Sequence, residues 1–326
     1  MDDFLRNKRV LITGAAGFVG ANLTRELVKR GAEVHALVRP GGDLWRISEM
    51  IPAIDIHTVD LTHAKELCRV IVESRPEIIF NLAVRRAGRT SRDRRRTLQT
   101  NVLGTANLLE AATPLDYERF VQVGGSLEYG VKERPIRESD LPEPVIFYGA
   151  TKAAATLLCQ QLAQADDRPV TVLRLFSVYG YWEPSGRLVP TAIMAALRGQ
   201  EIPLTAPGYR RDLVFVKDVV EACLLSLRAE GVTGEIINVG SGQQWSNEEV
   251  VEMVQVASGR EVRVRAGEYP PRPSDTTNWV ADNRKAKQLL GWEPRHSLRA
   301  GLEQTVAWLE RHQELYPERI TLGGPR

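Results

Sequence analysis

Three glycines three residues apart, Gly14, Gly17 and Gly20, stand between a short apolar run at residues 9–13 and a periodic stretch at 21–30 that ends at Gly31. That order reads as strand, turn, helix and C-cap. A residue without a Cβ can make a tight turn, let the backbone approach a ligand, or let a helix lie close on a strand. The helix start beyond the turn offers uncommitted amide hydrogens and a partial positive charge, which suits a diphosphate. A glycine triplet in an ordinary surface turn would not need this spacing. With a strand before it and a helix after it, the run is expected to open a βαβ unit and to seat a dinucleotide, with Phe18 and Val19 beside the three glycines.

The alternation continues. Strands are expected at 33–38, 54–59, 78–83, 120–123 and 170–176, and helices at 64–74, 97–112 and 148–164. Continuously apolar strands alternating with helices imply a parallel sheet covered on both faces. The fold class is therefore α/β, a doubly wound parallel sheet of Rossmann type over residues 1–175. Beyond it Pro184, Pro190, Pro203, Pro207, Pro270, Pro271, Pro273 and Pro294 interrupt the rhythm. Residues 176–211 and 241–326 read as a smaller mixed α/β domain, and 212–240 as a strand, helix and buried strand packing back on the first. A length of 326 residues accommodates two unequal domains.

Composition narrows the partners. A net charge of +2 gives no overall field toward nucleic acid or anionic lipid. No apolar run is long enough to span a membrane and the N-terminus lacks a secretory segment, so a cytoplasmic location is expected. Cys68, Cys159 and Cys223 have no CxxC spacing, so no disulfide framework and no metal site are expected, and all three read as small core residues. Between Arg85 and Arg96 there are seven arginines in twelve residues. Such a run reads first as a solvated surface. Its functional alternative is a phosphate-facing or subunit-facing patch, and without interleaved aromatics it gives little support to nucleic-acid binding.

Two further groups carry chemistry. The second strand ends in Ala36-Leu-Val-Arg39 without the acidic residue that often receives the adenosine ribose. A guanidinium at Arg39 would instead pair with a 2′-phosphate, which favours NADP(H) and leaves NAD possible. Asp60 and Leu61, after the third strand, are placed to meet the adenine, and Leu82 and Ala83, ending the fourth, are counted in the same seat. Tyr148 and Lys152 lie four apart at the start of an alanine-rich helix and so share a face. A phenol with a pKa near 10 works as a base near neutrality only if its anion is stabilised by roughly 4 kcal/mol. An adjacent ammonium, a helix N-terminus and an oxidised nicotinamide ring together supply that, and in reverse the phenol protonates a carbonyl oxygen as hydride arrives.

The glycine loop, Asn101 in Thr-Asn-Val-Leu-Gly-Thr, the Tyr148 and Lys152 pair and the segment Arg210-Arg-Asp-Leu-Val-Phe-Val-Lys-Asp218 together resemble the extended short-chain dehydrogenase/reductases. More narrowly, the chain resembles the nucleotide-sugar epimerase/dehydratase family from about residue 9 to 309, with further matches at Ile237-Asn-Val-Gly-Ser-Gly242, Arg272-Pro-Ser-Asp275 and Leu290-Gly-Trp-Glu-Pro294. The resemblance implies a cofactor site that includes Asn101, and a catalytic serine or threonine four residues before Tyr129-Gly130. That position is Gly125, and the nearest hydroxyl is Ser126. Either Ser126 serves in its place or one oxyanion donor is missing. Dehydratases of the family carry acidic groups at the next two positions, here Ser126 and Leu127, which disfavours 4,6-dehydration while Glu128 keeps it open. Arg211 and Arg272 match positions that clamp the nucleotide diphosphate. Ser177 stands where the family often has asparagine, and a homodimer through the helices holding Asn101 and Tyr148 is implied.

The activity these features favour is an NADPH-dependent reductase of a 4-keto nucleotide sugar, because a net reductase draws NADPH from solution. The alternatives are a nucleotide-sugar 4-epimerase, a 4,6-dehydratase, and a weakly catalytic dinucleotide-binding scaffold or sensor.

Overall fold

The apolar runs assemble into one seven-stranded sheet in the computed structural model, which describes residues 3–86, 90–269 and 271–316. Its first six strands are β1 (Arg9–Thr13), β2 (Glu33–Val38), β3 (Asp55–Thr58), β4 (Ile78–Asn81), β5 (Arg119–Gly125) and β6 (Val170–Leu175). The next three belong elsewhere: β7 (Ser177–Tyr179), β8 (Glu201–Thr205) and β9 (Arg210–Phe215). Then β10 (Ile236–Val239) returns to the large sheet, whose order is β3-β2-β1-β4-β5-β6-β10 with every pairing parallel. Three strands, β7, β9 and β11 (Gln244–Ser246), form one small sheet, and β8 with β12 (Arg263–Tyr269) forms another.

Helices cover both faces. They are α1 (Phe18–Lys29), α2 (Ala64–Ser74), α3 (Ser91–Leu98), α4 (Gly104–Ala112), α5 (Phe147–Ala165), α6 (Leu188–Arg198), α7 (Val216–Leu225), α8 (Asn247–Ser258), α9 (Arg284–Leu290) and α10 (Leu298–Arg311). The pleat decides which core each strand residue joins. Val10 and Ile12 of β1 pack with Leu23 and Leu27 of α1, whereas Leu11 between them faces Leu67 and Ile71 of α2 and Leu108 of α4. The first of these cores runs without a break into the second part of the chain, through Ile193, Leu302 and Val306. Among the described residues no helix is long and apolar enough to cross a membrane.

Three details differ from expectation. The helix expected at 97–112 is broken: Gln99–Leu103 forms a π-helical turn between α3 and α4, a local widening that tertiary contacts impose and that a 3.6-residue period does not reveal. Of residues 212–240, α7 packs on α1 and β10 joins the large sheet, whereas 212–215 pair within β9 to the small sheet. Cys159 and Cys223 are buried, but Cys68 is exposed on α2 and is not a core residue; all three are free.

Candidate active site

The strand order reverses between β1 and β4, and the ends of the two strands are held together there by a buried polar seam. Thr13 Oγ1 donates to Asn81 Oδ1 (2.6 Å) and accepts from the Ala83 amide (3.1 Å), while Asn81 Nδ2 donates to Gln122 Oε1 (2.7 Å). The glycine loop lies in this crevice. Gly14 has φ +70°, and a Cβ there would stand 2.8 Å from the backbone of Leu82 and Ala83. A Cβ on Gly20 would meet the Gly14 carbonyl oxygen at 2.1 Å. The first position therefore needs a left-handed turn, and the third needs the helix pressed onto the loop. Gly17 N-caps α1 without any side-chain bond, so no side chain competes for the first-turn amides at Phe18, Val19 and Gly20. These features fit the diphosphate of a dinucleotide, and Gly14, Gly17, Gly20, Phe18, Val19, Leu82 and Ala83 come together as one surface.

Arg39 is exposed immediately after β2, and Asp60 follows β3 within its electrostatic reach. Burial pushes the Asp60 carboxyl up, but bonds from the Thr62 amide (2.9 Å) and hydroxyl (2.8 Å), with His63 and Arg39, hold it below its ordinary range. The pocket edge thus carries a carboxylate as well as the guanidinium. Leu61 is buried, and its carbonyl accepts from Asn107 Nδ2 (2.8 Å).

The first two turns of α5, which begins at Phe147, carry Tyr148 and Lys152. Asn101, buried in the π-helical turn, receives the Arg85 amide (2.8 Å) and donates to the Arg85 carbonyl (3.0 Å) and to Thr151 Oγ1 (2.9 Å). Thr151 Oγ1 in turn donates to the Tyr148 carbonyl (2.8 Å). These bonds tie the β4 loop to the tyrosine's helical turn through Asn101. Lys152 is buried, its Nζ donates to the Val123 carbonyl, and burial lowers its pKa against the pull of Glu128. Burial raises the Tyr148 phenol, Arg86 pulls it back down, and the charge of Glu128 raises it again ahead of the smaller pull of Arg187. The cations acting most on the phenol therefore come from Arg86 and Arg187. The arginine run contained the first, and nothing in the sequence singled out the second. Arg187 is paired with the buried Glu183 (2.8 Å) and stands 5.9 Å over the ring of Phe18, which links this cluster to the glycine helix.

The arginine run divides. Arg85 and Arg86 sit on the loop after β4 at this site, whereas Arg92, Arg94, Arg95 and Arg96 lie exposed on α3, whose N-terminus Thr90 caps through the Asp93 amide (3.1 Å). Arg89 lies outside the described residues.

Ser126 opens a single 3-10 turn after β5, against the start of α5. Its oxygen accepts from the indole of Trp279 (3.0 Å). A serine that accepts one bond still has its own O–H to donate. At Gly125 the backbone is extended, and a Cβ would meet only the Leu175 carbonyl, at 3.8 Å, so a side chain at that position is sterically admitted. The guanidinium of Arg211 lies 5.2 Å over the Trp279 ring and donates to the Ser274 carbonyl (2.7 Å) and to Asp275 (2.7 Å). Burial, and after it the charge of the exposed Arg272, lower the Arg211 pKa although Asp275 raises it; the Asp275 carboxylate also accepts from the Arg272 backbone amide (2.8 Å). Ser177 lies on β7 opposite Leu213 of β9.

Glu128 requires a correction. Its carboxylate is fully buried: Oε2 pairs with Arg174 Nε (2.7 Å) and accepts from Thr156 Oγ1 (2.8 Å), and Oε1 accepts from the Gly125 amide (2.7 Å). Expected among the substrate contacts, it instead braces the turn beneath Ser126, because the buried Arg174 of β6 demands a counter-charge.

The model for the NAD-dependent epimerase/dehydratase family matches residues 10–240. The chain belongs to that family. The match contains the glycine loop and the tyrosine helix described above, and it places this chain among enzymes. Similar over nearly the whole chain is the dTDP-glucose 4,6-dehydratase of Xanthomonas campestris, 30% identical across 93% of this chain and 93% of that protein. The solved epimerase Mth375 of Methanothermobacter thermautotrophicus superposes with a TM-score of 0.88 at 31% identity, covering 96% of this chain and 95% of that one. The UDP-glucuronic acid 4-epimerase of Bacillus cereus, solved with UDP-glucuronic acid and NAD, superposes with a TM-score of 0.83 at 25% identity, covering 93% and 99%.

Proposed function

We propose that this family member is a nucleotide-sugar 4-epimerase using NAD. One observation carries the choice over 4,6-dehydration: the carboxylate nearest the dehydratase positions, Glu128, is locked in a fully buried pair with Arg174. Inverting C4 needs only a group that removes and restores the proton of the C4 hydroxyl, and Tyr148 suits that role. The solved relatives named above as epimerases support it as well.

A nicotinamide dinucleotide held by Gly14, Gly17 and Gly20 would supply a hydride acceptor for C4 and the donor for its return to the opposite face of the sugar. Tyr148 exchanges the proton with the C4 oxygen. Its phenolate is favoured by Arg86 and Arg187, against burial that keeps the resting group protonated. Ser126, steadied by Trp279, donates its O–H to the same oxygen. Arg211 and Arg272 take the substrate diphosphate, and Ser177 lies on the sugar side. The reductase reading rests on Arg39 alone, and Asp60 beside it would repel a 2′-phosphate. A scaffold role would not need the tyrosine and the buried lysine on one helical turn.

The test is incubation of the protein and NAD with UDP-glucose, UDP-glucuronic acid and dTDP-glucose, followed by NMR. Interconversion of C4 epimers without net NADH is expected. Release of a 4-keto-6-deoxy sugar, or stoichiometric NADPH oxidation with a 4-keto sugar, would return the dehydratase or the reductase. We also place a homodimer contact on α4 and α5, where Leu157 is 59% exposed and Leu103, just before α4, is 52% exposed, and a cytoplasmic location.

A further inference from the structure

The outer edge of the large sheet carries a cluster that this reaction does not use. In the β2–β3 register His35 lies opposite Asp55 and Leu37 opposite His57. Glu33 precedes His35 by two residues, and Asp55 precedes His57 by two. The pleat therefore puts all four side chains on one face. His35 Nδ1 is 3.1 Å from His57 Nε2 and 3.8 Å from Asp55 Oδ2, and His35 Nε2 is 3.5 Å from Glu33 Oε1. His35 is only 7% exposed, and its Nε2 is buried with no hydrogen-bond partner. A plain hydrogen bond between the two imidazoles accounts for one ring nitrogen of His35 and leaves the other orphaned, which buried polar atoms rarely are.

We propose that Glu33, His35, Asp55 and His57 form a site for a divalent transition-metal ion of the zinc class, bridging β2 and β3. Glu33, His35 and Asp55, whose ligand atoms lie within 4.8 Å of one another, are the protein ligands, and water completes a tetrahedron. His57, hydrogen-bonded to His35 Nδ1, fixes the tautomer that leaves the orphaned Nε2 to ligate. Two donors at tetrahedral zinc distances lie about 3.3 Å apart, close to the 3.5 Å between His35 Nε2 and Glu33 Oε1. The Asp55 side chain is 65% exposed and free to swing in. An imidazole beside two carboxylates suits zinc better than magnesium or calcium, which take oxygen alone. The ligands come from two strands about twenty residues apart and meet only through the parallel register. A search for cysteine spacings therefore gave no sign of them.

The test uses the full, tag-free chain after dialysis against a chelator. Zinc chloride is titrated by calorimetry, and cobalt chloride by the visible absorption of a tetrahedral ion. One ion per chain at micromolar affinity is expected, with Asp55→Asn and His57→Gln each weakening it at least about tenfold. The exposed His63→Gln should leave it unchanged. Each variant is first checked for an unaltered melting temperature in chelator, and Asp55→Asn, at an exposed position, keeps the test valid if His57→Gln does not fold. No wild-type binding up to ~100 µM metal, or undiminished binding in both Asp55→Asn and His57→Gln, overturns the site.

Discussion

Replacing Glu128 with glutamine separates a structural carboxylate from a catalytic one. Glu128 and Arg174 are 0% and 2% exposed and meet at 2.7 Å, and the same carboxylate holds the Gly125 amide and the Thr156 hydroxyl. Neutralising it leaves a guanidinium buried without its counter-charge, a change that costs about 3–5 kcal/mol. That is a large share of the roughly 5–15 kcal/mol by which domains are stable. At roughly 2–4 °C per kcal/mol, the melting temperature should fall by on the order of 10 °C. Urea titration followed by fluorescence measures the loss directly. Glu128→Leu combined with Arg174→Met removes both charges and should recover most of it, since an apolar pair of similar volume tolerates the site that a lone charge does not. Turnover per folded molecule should stay within about tenfold of wild type in either variant, because no chemical step passes through Glu128. Unchanged stability together with a loss of turnover beyond about a hundredfold would refute this, and the carboxylate would then belong to the reaction.

Tyr148→Phe should lower kcat by about 10²–10⁴ while NAD affinity, measured by fluorescence quenching, stays within a few-fold. Gly20→Ala should abolish NAD binding or unfold the loop, since its Cβ would stand 2.1 Å from the Gly14 carbonyl oxygen; circular dichroism with an NAD titration distinguishes the two. Burial pushes the Glu183 carboxyl up to about 7, against Arg187, the Gly180 amide and Arg86. The folded state then holds a proton that the unfolded chain has released above its ordinary pKa near 4.5. Stability from this group is fully present below that value and is lost as pH rises through 7. Glu183→Gln should remove that slope, worth up to ~3 kcal/mol, in urea titrations between pH 4.5 and 8.

The glycine loop and the strands were legible because each is a local signal: β1 and β2 occupy the residues the apolar runs indicated, and the turn's demands fall on consecutive residues. Tyr148 and Lys152 were legible for the same reason, since four residues along a helix fix a common face. Residues that act across the sequence were not. Arg187 reaches the phenol from beyond β7, and Trp279 reaches Ser126 from 153 positions away. Glu128 looked like a free acid because nothing near it in the chain announces that Arg174 lies on the adjacent strand.

The order of amino acids alone determined the α/β alternation, the dinucleotide turn and the spacing of the tyrosine and lysine, because backbone sterics and helical periodicity act over a few neighbours. Tertiary packing decided which charges are spent inside the protein, that Asn101 ties the β4 loop to the tyrosine helix, and that two histidines on neighbouring strands face each other. Burial and register set those outcomes, and both are properties of strands brought together from distant parts of the chain.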